Sequence, residues 1–411
     1  MAVAGKATFV IVGASLAGAK AAETLRTEGF DGRVVLVGEE PVRPYERPPL
    51  TKDYLRGESG FDSAAVHKED FYEQNDIELL TSTRASRLDP GSQQVVLEPG
   101  GALHYDQLLL TTGASPRTLS IPGADLEGIH YVRTVAEADA LREALGKGGK
   151  VVVIGGGWVG SEVTASARQL DNEVTLIDPG HVPLEHVLGA EVGALFVQLH
   201  VDHGVDLRLG LGVVGFRGGK RAEAVELSDG SVVGGDVFVV GIGARPRTEL
   251  AEAAGLELDD GIVVDQYLAT SVPGIWAAGD VANAWYRDLG RRIRLEHWSA
   301  ALNQGPAAAK NMLGRQLPYA KVPFFYSDQY DLGLEYRGFV PTWDQVVYRG
   351  DKDRRELIVF WLDHGLVVAG MNVNVWGSGD KIAALVFPPR RVDPKALADP
   401  SVDLASLAVG S

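Results

Sequence analysis

Val151-Val-Val-Ile154 runs directly into Gly155-Gly-Gly157-Trp-Val-Gly160, a β-branched stretch, a turn with three glycines at fixed spacing, and the opening of a helical pattern. The same arrangement stands near the start of the chain, where Ala7 to Val12 leads into Gly13-Ala-Ser15-Leu-Ala-Gly18. Such a turn brings backbone N–H groups against a pyrophosphate at the positive end of a helix, and a side chain at the closest glycine blocks that approach. Each copy continues as strand, helix, strand and acid. The first reads Ala7 to Val12, Ala17 to Thr27, Val34 to Val37 and Glu39; the second reads Val151 to Ile154, Gly160 to Leu170, Val174 to Ile177 and Asp178. Two βαβ units in one chain predict two bound nucleotides.

A second echo fixes how the units are joined. Tyr105-Asp-Gln-Leu-Leu-Leu-Thr-Thr112-Gly113-Ala-Ser-Pro-Arg117 is matched by Gly235-Asp-Val-Phe-Val-Val-Gly-Ile-Gly243-Ala-Arg-Pro-Arg247, each read as a strand leaving a nucleotide unit. Paired exits place the second unit, 117–244, inside the first, which occupies 1–116 and resumes over 245–322. From 323 to 411 the pattern alternates with turn signals, as in Leu357 to Leu362, Asp363-His-Gly365 and Leu366 to Ala369, and predicts an antiparallel third domain. The fold class is therefore α/β: two Rossmann-like domains, the second inserted in the first, and a C-terminal α+β domain with an antiparallel sheet.

With 411 residues the chain is long enough for two or three cores. A net charge of −16 disfavours nucleic acid, whose phosphates need a basic surface. The absence of cysteine removes disulfides, thiolate metal sites, thiol nucleophiles and cysteine-ligated clusters. An electron-handling reaction must then borrow its redox group. No apolar run approaches the roughly 20 residues of a membrane helix, and Met1 to Val12 leads into a strand rather than a signal peptide, which predicts a soluble, cytoplasmic protein.

Glu39, at the end of the second strand, can accept both ribose hydroxyls of an adenosine. Ser15, at the middle glycine position, narrows the space for a pyrophosphate. Asp178 accepts the 2′-OH of NAD and repels the 2′-phosphate of NADP, and Pro179-Gly-His-Val182 brings no cation for that phosphate. NADH is the expected nucleotide. Arg43-Pro-Tyr-Glu-Arg47-Pro-Pro-Leu-Thr-Lys52 reads as a stiff connector, not helical before Thr51, pointing Arg47 and Lys52 inward or lying as a solvated loop. Asp280, in Trp276-Ala-Ala-Gly279-Asp280, reads as a helix N-cap or as an acceptor for a polyol chain. Arg294-Leu-Glu296-His297-Trp298 to Gly305 begins a helix whose positive end can face developing negative charge. His200-Val-Asp-His203 has metal-like spacing but no third ligand, and a helix surface accounts for it; no metal is expected.

These motifs, spread in order over nearly the whole chain, resemble the FAD-dependent NADH:ferredoxin reductases of bacterial oxygenase systems, the putidaredoxin reductase-like group, similar in fold to glutathione reductase and apoptosis-inducing factor. The carrying stretches include the Gly13 turn, Tyr45 to Lys52, Thr112-Gly113, Gly155 to Glu162, Gly241 to Pro246, Ile275 to Asp280, Glu296 to Gly305 and Phe324 to Gln329. The resemblance implies hydride transfer from NADH to FAD, then single electrons to a [2Fe–2S] ferredoxin serving a cytochrome P450 or Rieske oxygenase, by a monomer. It implies that Glu39 and Asp280 hold FAD, that Arg47 and Lys52 lie beside the flavin, and that Lys52 pairs with Glu162 near the hydride-accepting edge. Glu296 then contacts the nicotinamide carboxamide, and Trp298 borders the flavin. Arg133, Gly243, His297 and Tyr326 complete the implied cofactor-binding set; Tyr326 stands where the group often has Trp.

Docking a ferredoxin on an acidic body calls for local cations, and Arg291, Arg292, Arg294, Arg390, Arg391 and Lys395 are candidates. A disulfide oxidoreductase is nearly excluded by the missing cysteines. An NADH-sensing flavoprotein of the apoptosis-inducing-factor type, changing partners on reduction, is the alternative.

Overall fold

The computed structural model describes residues 6–408; residues 1–5 and 409–411, the outer ends of the first and third expected domains, lie outside the described residues. Three sheets organise the molecule. In the first unit five parallel strands stand in the order Ile275–Ala277, Gln107–Leu110, Thr8–Val12, Arg33–Val37, Ile77–Leu80. From Thr8–Val12 the chain first builds outward on one side, through Arg33–Val37 and Ile77–Leu80, and then returns to add Gln107–Leu110 on the other, and the crevice at the carboxyl end of the strand where the order reverses is where such a sheet binds ligands. The near-continuous apolar run Phe9–Val12 is fully buried, as a strand covered on both faces requires. The inserted unit repeats this around Lys150–Ile154, in the order Asp206–Leu209, Glu173–Asp178, Lys150–Ile154, Val237–Val240, Ile129–His130.

The chain passes between the units on an antiparallel ribbon of Ala114–Pro116 against Ala244–Pro246. Gly113 and Gly243, at φ +70° and +97°, make the bends that enter it. The third unit is a six-stranded antiparallel sheet built from Phe324–Gln329, Leu332–Gly338, Leu366–Val373, Glu356–Asp363 and Gln345–Asp351, with Arg390–Arg391 beside Leu366–Val373. The hairpin at Asp363-His364-Gly365 turns with both His364 and Gly365 at positive φ, +48° and +79°, the handedness a two-residue hairpin needs.

The units share cores. Leu50, Tyr54 and Leu55 of the first unit are buried with Leu141 and Val163 of the inserted one. Phe196 and Leu199 of the inserted unit pack with Leu334, Val359 and Trp361 of the third. Each such side chain contributes roughly 1.5–3 kcal/mol on burial, so the three units are held as one body by apolar contact. Among the described residues no helix is long and apolar enough to cross a membrane.

Three local expectations are corrected. The proline-rich segment forms a 3-10 helix over Pro48–Thr51, because Pro48 and Pro49 occupy its first two positions, where a helix has no use for the missing N–H groups and their fixed φ suits it. Asp280 caps no helix; it lies within the short 3-10 turn Gly279–Val281 and makes no side-chain cap bond. His200 is not on a helix surface: it is fully buried in Ala190–Asp202, its Nδ1 3.2 Å from Tyr330 Oη.

Candidate active site

Both glycine turns are dictated by close backbone approach. A Cβ at Gly13, φ +120°, would stand 2.1 Å from Thr111 O, and one at Gly18 would stand 2.1 Å from Gly13 O. In the second turn, Gly155 and Gly160 would place a Cβ 2.4 Å from Gly241 O and 1.8 Å from Gly155 O. The middle position differs. Ser15 adopts an ordinary extended φ of −122°, so a Cβ is accommodated, and at Gly157 a Cβ would meet nothing closer than 3.9 Å.

A cavity of about 670 Å³ opens at the first turn, within the range of roughly 300–1,000 Å³ typical of ligand sites. Its walls carry Gly13, Ser15, Glu39, Arg47, Lys52, Thr112, Gly113, Arg133, Glu162, Gly279, Asp280, Glu296, His297, Trp298 and Tyr326. Gly18, Gly155, Gly157, Gly160, Asp178 and Gly243 do not line it. Three parts of the fold supply the walls: the first sheet, helix Trp158–Gln169 of the inserted unit, and strand Phe324–Gln329 of the third.

At the centre, Lys52 Nζ lies 2.8 Å from Glu162 Oε1, both side chains about nine-tenths buried (11% and 8% exposed). Glu162 also accepts from Thr51 Oγ1 at 2.5 Å on Oε2 and from Ser327 Oγ at 2.7 Å on Oε1. Lys52 Nζ sits 5.5 Å from the centre of the Tyr326 ring, which meets Trp298 edge-on at 6.0 Å. Burial among acids pushes the Tyr326 phenol well above its usual range, so it stays neutral. Trp298 donates its indole N–H to Glu46 at 2.9 Å. His297 precedes helix Trp298–Met312 and packs on Phe325; burial pulls its imidazole down to about 4, with Asp280 opposing weakly. It is neutral at physiological pH.

Toward the other end, Arg133 pairs with Asp280 at 2.5 Å, and Glu39 accepts from Arg247 at 2.6 Å. Arg47 reaches Glu40 at 3.2 Å and donates to the Arg133 carbonyl, while Tyr45 Oη donates to Glu40. Glu40 is therefore tied into the fold by Arg47 and Tyr45. Glu296 pairs with Arg294, and that pairing corrects one docking candidate: Arg294 is turned inward, between Glu296 at 2.5 Å and Asp260 at 3.2 Å, with 11% of its side chain exposed. Arg292 donates to the Val264 carbonyl and lies over Trp285, and Arg391 donates to His364 O; Arg291, Arg391 and Lys395 remain exposed. In the second unit both Asp178 oxygens accept from backbone, Gly156 N at 2.5 Å and Gly180 N at 2.7 Å.

Thr51, Ser327, Glu46 and Arg247 were not legible as site residues. All four sit inside motifs read for their neighbours: Glu46 and Thr51 in Arg43 to Lys52, Arg247 at the end of the second exit strand, and Ser327 in Phe324 to Gln329. Among the described residues no group of three or more His, Asp or Glu is placed to hold a metal. The walls fit a flavin dinucleotide: a glycine turn at a helix N-terminus, acids at both ends, and two buried polar atoms without partners, Arg133 Nε and His297 Nδ1, on residues that line the cavity.

Residues 7–305 match the pyridine nucleotide-disulphide oxidoreductase family, and residues 324–408 match the reductase C-terminal family. The chain is 40% identical over 397 residues to the anthranilate 1,2-dioxygenase system ferredoxin–NAD(+) reductase component of Burkholderia cepacia, covering 96% of this chain and 98% of that one. It is 36% identical over 404 residues to putidaredoxin reductase of Pseudomonas putida, covering 97% and 96%. The crystal structure of the covalent putidaredoxin reductase–putidaredoxin complex superposes with a TM-score of 0.94 at 35% identity, over 98% of this chain and 99% of that chain.

Proposed function

The chain belongs to the pyridine nucleotide-disulphide oxidoreductase family and is related to the FAD-dependent NADH:ferredoxin reductases of bacterial oxygenase systems, and from that premise we propose how its residues serve the reaction. It is an NADH-dependent flavoprotein oxidoreductase, and a [2Fe–2S] ferredoxin of an oxygenase system takes its electrons. Bound FAD supplies an acceptor for a hydride and a donor of single electrons. The ion pair of Lys52 and Glu162, drawn from two nucleotide units into one cavity, is the observation that carries the assignment of roles.

Lys52 holds a positive charge where negative charge grows during reduction. The apolar walls of Phe325, Trp158 and Tyr326 exclude water there, which strengthens a fixed charge. Glu162 orients the lysine. The N-terminus of the 15-residue helix Trp298–Met312 borders the same cavity and adds partial positive charge there. Glu39, with Arg247, and Asp280, with Arg133, hold the polar arms of FAD. Asp178 selects NADH, its geometry set by the two backbone donors, and Glu296, anchored by Arg294 at the cavity mouth, receives the carboxamide. Exposed Arg291, Arg391 and Lys395 are the cations left to meet an acidic carrier. We place the protein in the cytoplasm, where its reductant NADH is supplied.

The test is direct. The purified protein is yellow, is bleached by NADH with a higher kcat/KM than by NADPH, and then reduces a [2Fe–2S] ferredoxin, followed by the loss of the ferredoxin's visible absorbance. Colourless protein that ignores added FAD, or bleached protein that reduces no oxygenase-type ferredoxin, overturns it. Lys52→Ala, with FAD still bound, slows bleaching about 10²-fold.

A further inference from the structure

Glu162 is a buried carboxylate with more donors than its lysine accounts for. A buried ion pair is poorly compensated unless neutral hydrogen bonds satisfy the remaining lone pairs. Here they come from two other parts of the chain: Thr51 Oγ1 on one oxygen and Ser327 Oγ on the other, the oxygen that also receives Lys52. The Thr51 side is tied twice to helix Trp158–Gln169, because Ser166 Oγ donates to Thr51 O at 2.7 Å. The Ser327 side comes from the C-terminal sheet.

Strand Phe324–Gln329 alternates faces, so Phe325, Ser327 and Gln329 point inward while Tyr326 lies between Trp298 and Lys52. Ser327 is fully buried. Gln329 Nε2 donates to Ser327 Oγ at 3.4 Å, which occupies the hydroxyl as an acceptor and leaves its proton for Glu162 Oε1. We propose that Ser327 is a positioning residue of the reductase reaction: the C-terminal domain uses its hydroxyl to hold the Glu162 carboxylate, and through it the Lys52 ammonium, at the flavin edge. Without that donor, Oε1 retains only a flexible lysine that has a second acceptor in Pro48 O at 3.4 Å, and the carboxylate is free to turn toward Thr51. The inference rests on the role given to Lys52 above.

The experiment uses the FAD-loaded full chain and reads two quantities: the stopped-flow rate of bleaching by NADH and the flavin midpoint potential by equilibrium dye titration. Ser327→Ala is expected to slow bleaching about 5- to 10-fold and to move the potential in the negative direction, with FAD content and the KM for NADH unchanged. Ser327→Thr restores both. In a Lys52→Ala background, Ser327→Ala adds nothing further, because the two act through one charge. A wild-type rate and potential in Ser327→Ala beside a slow Lys52→Ala overturns the inference and leaves the role of Lys52 standing; so do additive losses in the double variant, the mark of a purely structural serine. An unaltered Lys52→Ala overturns both. The isosteric pair Ser327→Thr and Ser327→Val carries the same test should the alanine variant not fold.

Discussion

The first glycine turn opens onto a walled cavity, whereas the glycines of the second, built on the same strand-turn-helix, lie outside it with Gly157 exposed, and only Trp158 and Val159 of that turn reach its wall. Their acids differ in the same sense. Glu39 is tied to Arg247 across the ribbon between units, while Asp178 is held only by the backbone of its own unit. The local motif supplies a helix N-terminus and a carboxylate at the end of the second strand in both cases. We expect the first to be a retained site and the second an exchanging one because Gly13 and Ser15 share an enclosed cavity with Arg47, Lys52, Phe325 and Tyr326, whereas Gly155 and Gly157 do not.

The strongest way to break this comparison is to make the same clash twice. Gly13→Val and Gly155→Val both drive a side chain into a carbonyl, 2.1 Å from Thr111 O and 2.4 Å from Gly241 O at Cβ. We expect Gly13→Val to be colourless and Gly155→Val to stay yellow but resist bleaching by NADH, measured by absorbance of protein whose circular dichroism is native. Loss of flavin from both would show that the turns are not independent. Next in size is Asp178→Ala. Removing a charged acceptor of the ribose hydroxyls costs roughly 1.5–3 kcal/mol, so kcat/KM for NADH should fall about 10- to 100-fold and the preference over NADPH should narrow. An unchanged ratio would count against Asp178 as the selector.

A smaller and sharper test is Gly157→Ala. The protein itself has room for this methyl, so melting temperature and FAD content should not move, and a rise in KM for NADH of about 10-fold reports the nucleotide's own approach. Ser15 already carries a Cβ at the matching place in the first turn, and Ser15→Gly should change FAD affinity little. A Gly157→Ala protein with unaltered KM would mean that the second turn is not closely approached.

The smallest effect concerns dryness. His297 titrates near 6.5 when unfolded and near 4 in the folded cavity, so the unfolded chain takes up a proton that the folded chain refuses. Stability from this group is fully present above pH 6.5 and is lost as pH falls through 4. Tm should therefore drop over that window, and less so in His297→Asn. A bleaching rate with a break near pH 6.5 that disappears in His297→Asn would indicate a wetter cavity than the burial of His297 implies.

The repeats made both nucleotide units legible, because glycine positions and β-branched runs are set by backbone geometry that acts within about 30 residues. The alternation and the Asp363-His-Gly365 turn did the same for the antiparallel domain. The site was legible only where a residue sat inside such a motif. Ser327 lies in an alternating strand like any other, and Glu46 is one acid in a charged loop; neither differs from a structural residue until distant elements meet. The 3-10 turn at Pro48–Thr51 was misread for the opposite reason, since prolines forbid a helix interior yet suit a helix start.

Local chemistry along the chain was enough to determine two dinucleotide folds and the absence of any thiol, and to suggest the nesting from paired exit strands and Asp178 as the acid that meets NADH. Tertiary structure alone decided which turn became a cavity, that Arg294 and Glu40 are spent on internal pairs, and that a carboxylate on one unit is gripped by hydroxyls from the two others. The physical reason is range. Turns and strands are specified by neighbours in sequence, but the cost of burying a charge depends on every group that ends up beside it, and those groups come from residues 51, 162 and 327.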